Sequence, residues 1–180
     1  MNLVYSIPDK LYYFENFLDY PTYKKLHYDV FKSNLISLKS VKKDWDKKLT
    51  YGHYNFTQKT DLDKNNPLLI KLKILIKTNR FHKINYNNFN FVLHSMEDGA
   101  GINWHDDNSH EYGITYYINR RWNSKFGGEL LFTHETANGF VPLTGNSLLV
   151  IKAPLLHKVV TVTKPIVPRK TIQIFVGKDV

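Results

Sequence analysis

The chain has 180 residues, 42% of them apolar and 14% aromatic, enough for one domain with a packed core and too few for two. It contains no cysteine, which excludes a disulfide scaffold, a thiolate zinc site, an iron–sulfur cluster and a cysteine nucleophile, so any metal must be held by His, Asp or Glu. The net charge of +9 is uneven: residues 1–90 carry 16 Lys/Arg against 8 Asp/Glu, and residues 91–180 carry 9 against 8. The lysines are scattered, which favours a solvated surface over a docking patch for an acidic partner.

Residues Met1 to Lys10 show no basic start followed by an apolar run, and no segment approaches the roughly 20 apolar residues of a membrane span. A cytoplasmic location is therefore expected. Leu11 to Leu18 is aromatic-rich and reads as extended. Asp19 offers an N-cap and Pro21 fits the first turn of a helix to about Ser33, with Tyr23, Leu26, Val30 and Phe31 facing inward. Asn66-Pro67 opens a second helix to about Lys77, burying Leu68, Leu69, Leu72, Leu75 and Ile76. After Arg80 the hydrophobic period changes from 3.6 to 2, with Phe89, Phe91 and Leu93 alternating. Strands are expected at Ile114–Asn119, Glu129–Thr133, Ser147–Lys152, Lys158–Thr163 and Thr171–Val176, separated by Gly, Asn and Pro. This pattern predicts a mainly β protein, an antiparallel barrel or jelly roll buttressed by N-terminal helices, forming a single domain over 1–180.

Two His-x-Asp triplets occur. His27-Tyr28-Asp29 lies in the first helix, where residues two apart diverge by about 200° and cannot share an ion. His105-Asp106-Asp107 lies at the edge of the strand-rich half, where an extended backbone would put His105 and Asp107 on one face. A third ligand comes from His94, His110, His134 or His157. His157 is preferred because Arg169 follows a Pro-rich turn; if the two segments form a hairpin, Arg169 lies beside His157. Its planar fork suits a carboxylate. Two His and one carboxylate leave open positions, as in non-haem Fe(II) oxygenases. Zinc hydrolases can share that ligand set but rarely need such an Arg. No Ser-His-Asp set, paired-Glu site or phosphate-binding glycine loop is found; Gly99-x-Gly101 lacks a third glycine and reads as a turn.

Three stretches carry a family likeness: NWHDD, ITYYINRRWNSKFGGELLF, and the last His followed by Arg-x-Thr. In these, Asn103 to Val176 resembles the core of 2-oxoglutarate/Fe(II)-dependent dioxygenases, most closely the prolyl 4-hydroxylase-like branch. The resemblance implies a double-stranded β-helix, with residues 91–180 as catalytic core and 1–90 as support. It implies iron(II) held by His105, Asp107 and His157, and 2-oxoglutarate anchored by Arg169. Tyr117 would meet the same carboxylate, Leu130 would form an apolar wall, and Thr171 would add a hydroxyl contact. Ascorbate enters as a further cofactor of such enzymes.

The reaction so implied is hydroxylation of a C–H bond coupled to decarboxylation of 2-oxoglutarate to succinate. The expected substrate is a prolyl or other residue of a peptide or protein. The alternatives are a nucleic-acid base, a small metabolite, or a non-catalytic jelly-roll binding module. The base-dealkylating branch usually carries a second Arg six residues after the first, where this chain has Phe175. The spacing from His157 to Arg169 is somewhat long, and Ser95 to Trp104 does not align cleanly.

Overall fold

A computed structural model describes residues 1–33, 35, 42–44, 49–50, 57–81, 83–135 and 137–177. Two antiparallel sheets dominate it. The larger has eight strands in the order β1-β2-β10-β7-β12-β5-β4-β3: β1 is Asn2–Ile7, β2 Leu11–Glu15, β10 Ser147–Lys152, β7 Tyr112–Tyr117, β12 Arg169–Val176, β5 Phe89–Met96, β4 Thr57–Asp61 and β3 Lys42–Asp44. The smaller has four in the order β6-β11-β8-β9: β6 is Ile102–His105, β11 Leu156–Val159, β8 Leu130–His134 and β9 Ala137–Val141. Two helices, α1 (Tyr20–Phe31) and α2 (Pro67–Lys77), cover one face of the larger sheet.

Strand periodicity explains this layering. Residues two apart on a strand share a face. Ile114 and Tyr116 of β7, Leu148 and Val150 of β10, and Ile172, Ile174 and Val176 of β12 join Leu26, Val30, Leu69, Leu72 and Ile76 of the helices in one core. The intervening residues face the smaller sheet: Tyr117, Leu149 and Ile151 pack with Leu130, Phe132 and Val141 in a second core. A sheet covered on both faces needs runs that are apolar almost throughout, which is how β7 and β10 read.

Both helices begin as their sequences predict. Asp19 accepts from the Thr22 N–H at 2.9 Å, and Asn66 from the Leu68 N–H at 2.9 Å, each with proline in the first turn. Phe31, Leu68 and Leu75 are only partly buried, at the margin of the core. The extended entry ends at Glu15, before a turn at Asn16 with φ +50°. The strand expected at Lys158–Thr163 is displaced to Leu156–Val159; beyond it, Val162 leaves the sheet and bonds Ala100 and Gly99 instead.

The hairpin between His157 and Arg169 does not form. β11 pairs with β6 and β8 in the smaller sheet, whereas β12 pairs with β5 and β7 in the larger. The segment between them crosses from one sheet to the other. His157 and Arg169 therefore face each other across the interior, and both line one cavity.

Candidate metal centre and its anion pocket

The cavity lies between the sheets and has a volume of about 320 Å³. His105 ends β6 and His157 sits directly opposite it on β11. Their rings lie 4.2 Å apart between centroids. Asp107 joins them by a turn and not by an extended strand. It has φ +54°, and its main-chain oxygen accepts the His110 N–H at 2.9 Å. The left-handed residue swings the carboxylate back under the two rings. Asp107 Oδ1 is 3.7 Å from His105 Nε2, and Oδ2 is 3.7 Å from His157 Nε2. The three donor atoms all lie within 4.8 Å of one another, close enough to share one ion.

The tautomers suit metal binding. His105 Nδ1 lies 2.8 Å from the Asn103 carbonyl oxygen and His157 Nδ1 2.7 Å from that of Leu155. A carbonyl only accepts, so each Nδ1 carries the proton and each Nε2 lone pair is free for the shared centre. Burial, reinforced by the neighbouring His105, holds His157 below the usual histidine pKa and keeps it neutral. The carboxylate has its own shaped seat: a Cβ on Gly113 would come within 2.6 Å of Asp107 Oδ2.

Arg169 lies at the other end of the cavity, 2% exposed. Its Nε donates to the Gly128 carbonyl at 3.0 Å, and one terminal nitrogen lies 3.5 Å from Met96 Sδ. No carboxylate among the described residues lies within ion-pair distance of it. The register sets Thr171 beside Tyr117, and the Arg169 guanidinium lies 5.7 Å from the Tyr117 ring centre. Tyr117 Oη and Thr171 Oγ1 are both buried without a hydrogen-bond partner. Burial raises the Tyr117 pKa well above the usual phenol range, so its hydroxyl remains a donor. A buried cation without a counter-ion costs several kcal/mol, and each orphaned hydroxyl about 1–3 kcal/mol more. One carboxylate placed among Arg169, Tyr117 and Thr171 would relieve all three, which is what 2-oxoglutarate would bring.

His105, Asp107, His157, Leu130, Arg169 and Thr171 all line this interior, and Tyr117 packs beside Thr171 and Arg169. Leu130 packs in the core beneath the cavity and also lines it, so it serves as both core and wall. Of the other histidines considered, His94 on β5 lines the wall without joining the metal cluster, His110 sits at the mouth, and His134 ends β8. His27 and Asp29 point apart, as the helix requires: His27 stacks on Phe31 and Asp29 pairs with Lys25 at 3.0 Å.

Two glycines shape the site in ways the sequence does not assign them. Gly113 makes room for Asp107 from within β7. Gly128 has φ +83° and leaves space that a Cβ would take from Arg169 Cδ, at 2.9 Å. The tandem Gly127-Gly128 was a visible signal for the second; nothing in the sequence marked the first.

Comparison with known proteins agrees with this geometry. Residues 91–177 match the 2OG-Fe(II) oxygenase superfamily. These residues carry a 2OG-Fe(II) oxygenase domain, which supports a 2-oxoglutarate-dependent Fe(II) dioxygenase. Its fold is that of the prolyl hydroxylases. A prolyl-4-hydroxylase from Pseudomonas putida superposes with a TM-score of 0.71 at 14% identity, covering 94% of each chain. A prolyl hydroxylase from Trichoplax adhaerens, solved with a hypoxia inducible factor oxygen degradation domain peptide fragment, gives 0.68 at 16% identity, covering 93% of this chain and 83% of the other. A 2OG-Fe(II) oxygenase family oxidoreductase from Burkholderia pseudomallei gives 0.58 at 11% identity, with 92% and 83% covered. No curated protein matches the chain significantly.

Proposed function

We propose that the protein hydroxylates a C–H bond of a residue in a peptide or protein, a prolyl residue first among candidates. The net reaction inserts one oxygen atom of O₂ into the substrate C–H bond and the other into succinate, with 2-oxoglutarate losing carbon dioxide. The observation that carries the reading is the pairing of a His105–Asp107–His157 donor set with a buried guanidinium that has no carboxylate partner among the described residues. Zinc hydrolysis would use the first and leave the second unexplained.

Iron(II) and 2-oxoglutarate, when bound, supply the oxygen activation and the electrons for hydroxylation. The chain's residues supply place and surroundings. His105 and His157 give neutral nitrogen ligands held by carbonyl hydrogen bonds, and Asp107 gives the charge. Arg169, Tyr117 and Thr171 would fix the distal carboxylate of the keto-diacid and so set where its other end meets the metal. Leu130, Ile102, Val92 and Val159 add apolar wall between the polar groups of the cavity, which strengthens those charged contacts. No side chain is required as general acid or base.

The peptide reading draws support from the fold likeness to prolyl hydroxylases, one of them solved with a peptide. Phe175, where the base-dealkylating pattern has Arg, weighs against a nucleic-acid base. The test is Fe(II)-dependent succinate release with candidate peptides, followed by mass spectrometry for a gain of one oxygen atom. Stimulation by an alkylated oligonucleotide and not by peptide would overturn the substrate assignment.

A further inference from the structure

The metal cavity continues outward into a polar groove, and the chemistry of that groove identifies where a substrate chain lies. The inference rests on the hydroxylase reading above. Arg169, Thr171, Gln173 and Phe175 of β12 face the cavity in turn. At about 3.3 Å per residue, Arg169 and Phe175 are roughly 20 Å apart. A five-carbon diacid spans roughly 7 Å by ordinary bond lengths. The Gln173–Phe175 end therefore lies beyond its reach and is left for the second substrate. There Thr115 Oγ1 donates to Gln173 Oε1 at 2.8 Å, which leaves the Gln173 amide N–H groups as donors.

At Phe175 the cavity opens into a groove of about 750 Å³. Asn90, Ser109, His110 and Phe175 line both spaces. The His110 and Phe175 rings, 4.5 Å apart between centroids, form the threshold between them. The groove is lined by the short polar side chains of Asn88, Asn90, Asn108 and Ser109 together with apolar surface from Phe89 and Pro154. Among the described residues its only lysine or arginine is Lys64, and its only carboxylate is Glu111. In a chain of net charge +9, this surface carries no basic excess. A phosphate backbone would need one. Amide side chains instead offer an NH2 donor group and a carbonyl acceptor each, the complement of a peptide main chain.

We propose that this groove binds the main chain of an extended polypeptide next to its target residue. Asn88 and Asn90 bond the backbone, and the His110–Phe175 pair packs against the target side chain as it passes into the metal cavity. The probes are a fluorescein-labelled pool of decapeptides with a central proline and uncharged random flanks, and a labelled dT12 strand. Each is titrated by fluorescence anisotropy against the wild type, N88A/N90A and a control, F140S, on the outer face of the smaller sheet. The pool should saturate the wild type and F140S, and bind N88A/N90A at least fivefold more weakly. Circular dichroism on each variant reports folding. Equal peptide affinity in N88A/N90A overturns the proposal, as does failure of the pool to saturate the wild type, because a groove that reads main chain demands no particular flank. Saturable binding of dT12 that weakens in N88A/N90A while peptide affinity stays unchanged would assign the groove to nucleic acid and also overturn it. Peptide-dependent succinate release with unchanged groove affinity would keep the hydroxylase reading and discard the groove alone.

Discussion

Replacing Gly113 by alanine should damage the metal centre while leaving the fold intact. Gly113 lies in β7, paired with Ile151 and Phe175, and outside the left-handed region, so alanine adopts its backbone without strain. The added Cβ would meet Asp107 Oδ2 at 2.6 Å, whereas ordinary contact begins near 3.4 Å. The carboxylate must then retreat by roughly 0.8 Å, several times the ~0.2 Å tolerance of a metal–ligand bond. It has little freedom to do so, because the Asp107 backbone is held in a left-handed turn and the side chain is short. We expect Fe(II) affinity to fall by about 10–100-fold, the usual effect of disturbing the support of a ligand. The overlap offsets the ~0.4–1 kcal/mol that alanine gains at an unstrained glycine site, so stability should hold or fall by at most about 1–3 kcal/mol while the fold is retained. Anaerobic Fe(II) titration followed by tryptophan fluorescence is suitable, as Trp104 adjoins His105. Thermal unfolding of the metal-free protein supplies the second readout. Wild-type Fe(II) affinity in G113A would refute the placement of Asp107 as a ligand seated against Gly113.

Other substitutions separate the two ends of the cavity. R169A should retain Fe(II) but weaken 2-oxoglutarate binding by at least about 30-fold, from the 2–5 kcal/mol lost when one partner of a buried charge pair is removed; isothermal titration with each ligand checks this. Y117F should lower 2-oxoglutarate affinity by about 10–100-fold, the value of a hydrogen bond to a charged group, yet raise or maintain the melting temperature of the ligand-free protein by removing an orphaned hydroxyl. A fall in both quantities would point to a plain core tyrosine. Far from the site, Asp19 caps α1 and pairs with Lys71 at 2.7 Å, and Lys71, followed by the Thr22 N–H, holds its pKa well below the usual 3.8. A carboxyl depressed on folding stabilises above its unfolded pKa and loses that effect as pH falls. Asparagine caps a helix as well as aspartate does. The wild type should therefore melt above D19N at neutral pH, and the difference should shrink progressively below about pH 4.

The sequence is legible where local chemistry and global packing agree. The caps at Asp19 and Asn66 mark both helices, and the alternation from Phe89 onward marks the central strands of the larger sheet. Edges are less legible. β4 reads TQKTD, without the apolar alternation that reveals a half-buried strand, and β9 contains Asn138-Gly139, a pair that signals a turn. β9 is an edge strand and β4 lies next to one, and in both the pairing with neighbouring strands outweighs propensity. The structure brings the candidate residues together, but by a geometry that their spacing does not show. His105 and Asp107 meet through a left-handed turn, and His157 and Arg169 meet across two sheets, because the connection between them crosses the sandwich. Spacing along a chain constrains which groups can meet, not the route by which they do. Gly113 was invisible for a simpler reason: its role is a missing side chain.

The central claim is that one iron(II) ion sits among His105, Asp107 and His157. Anaerobic equilibrium dialysis with elemental analysis tests it directly, on the wild type and on H105A, D107A and H157A. The account predicts one iron per wild-type chain and near-complete loss in each variant at the same free iron concentration, with the circular dichroism of the fold retained. Full iron occupancy in D107A and H157A alike would contradict it.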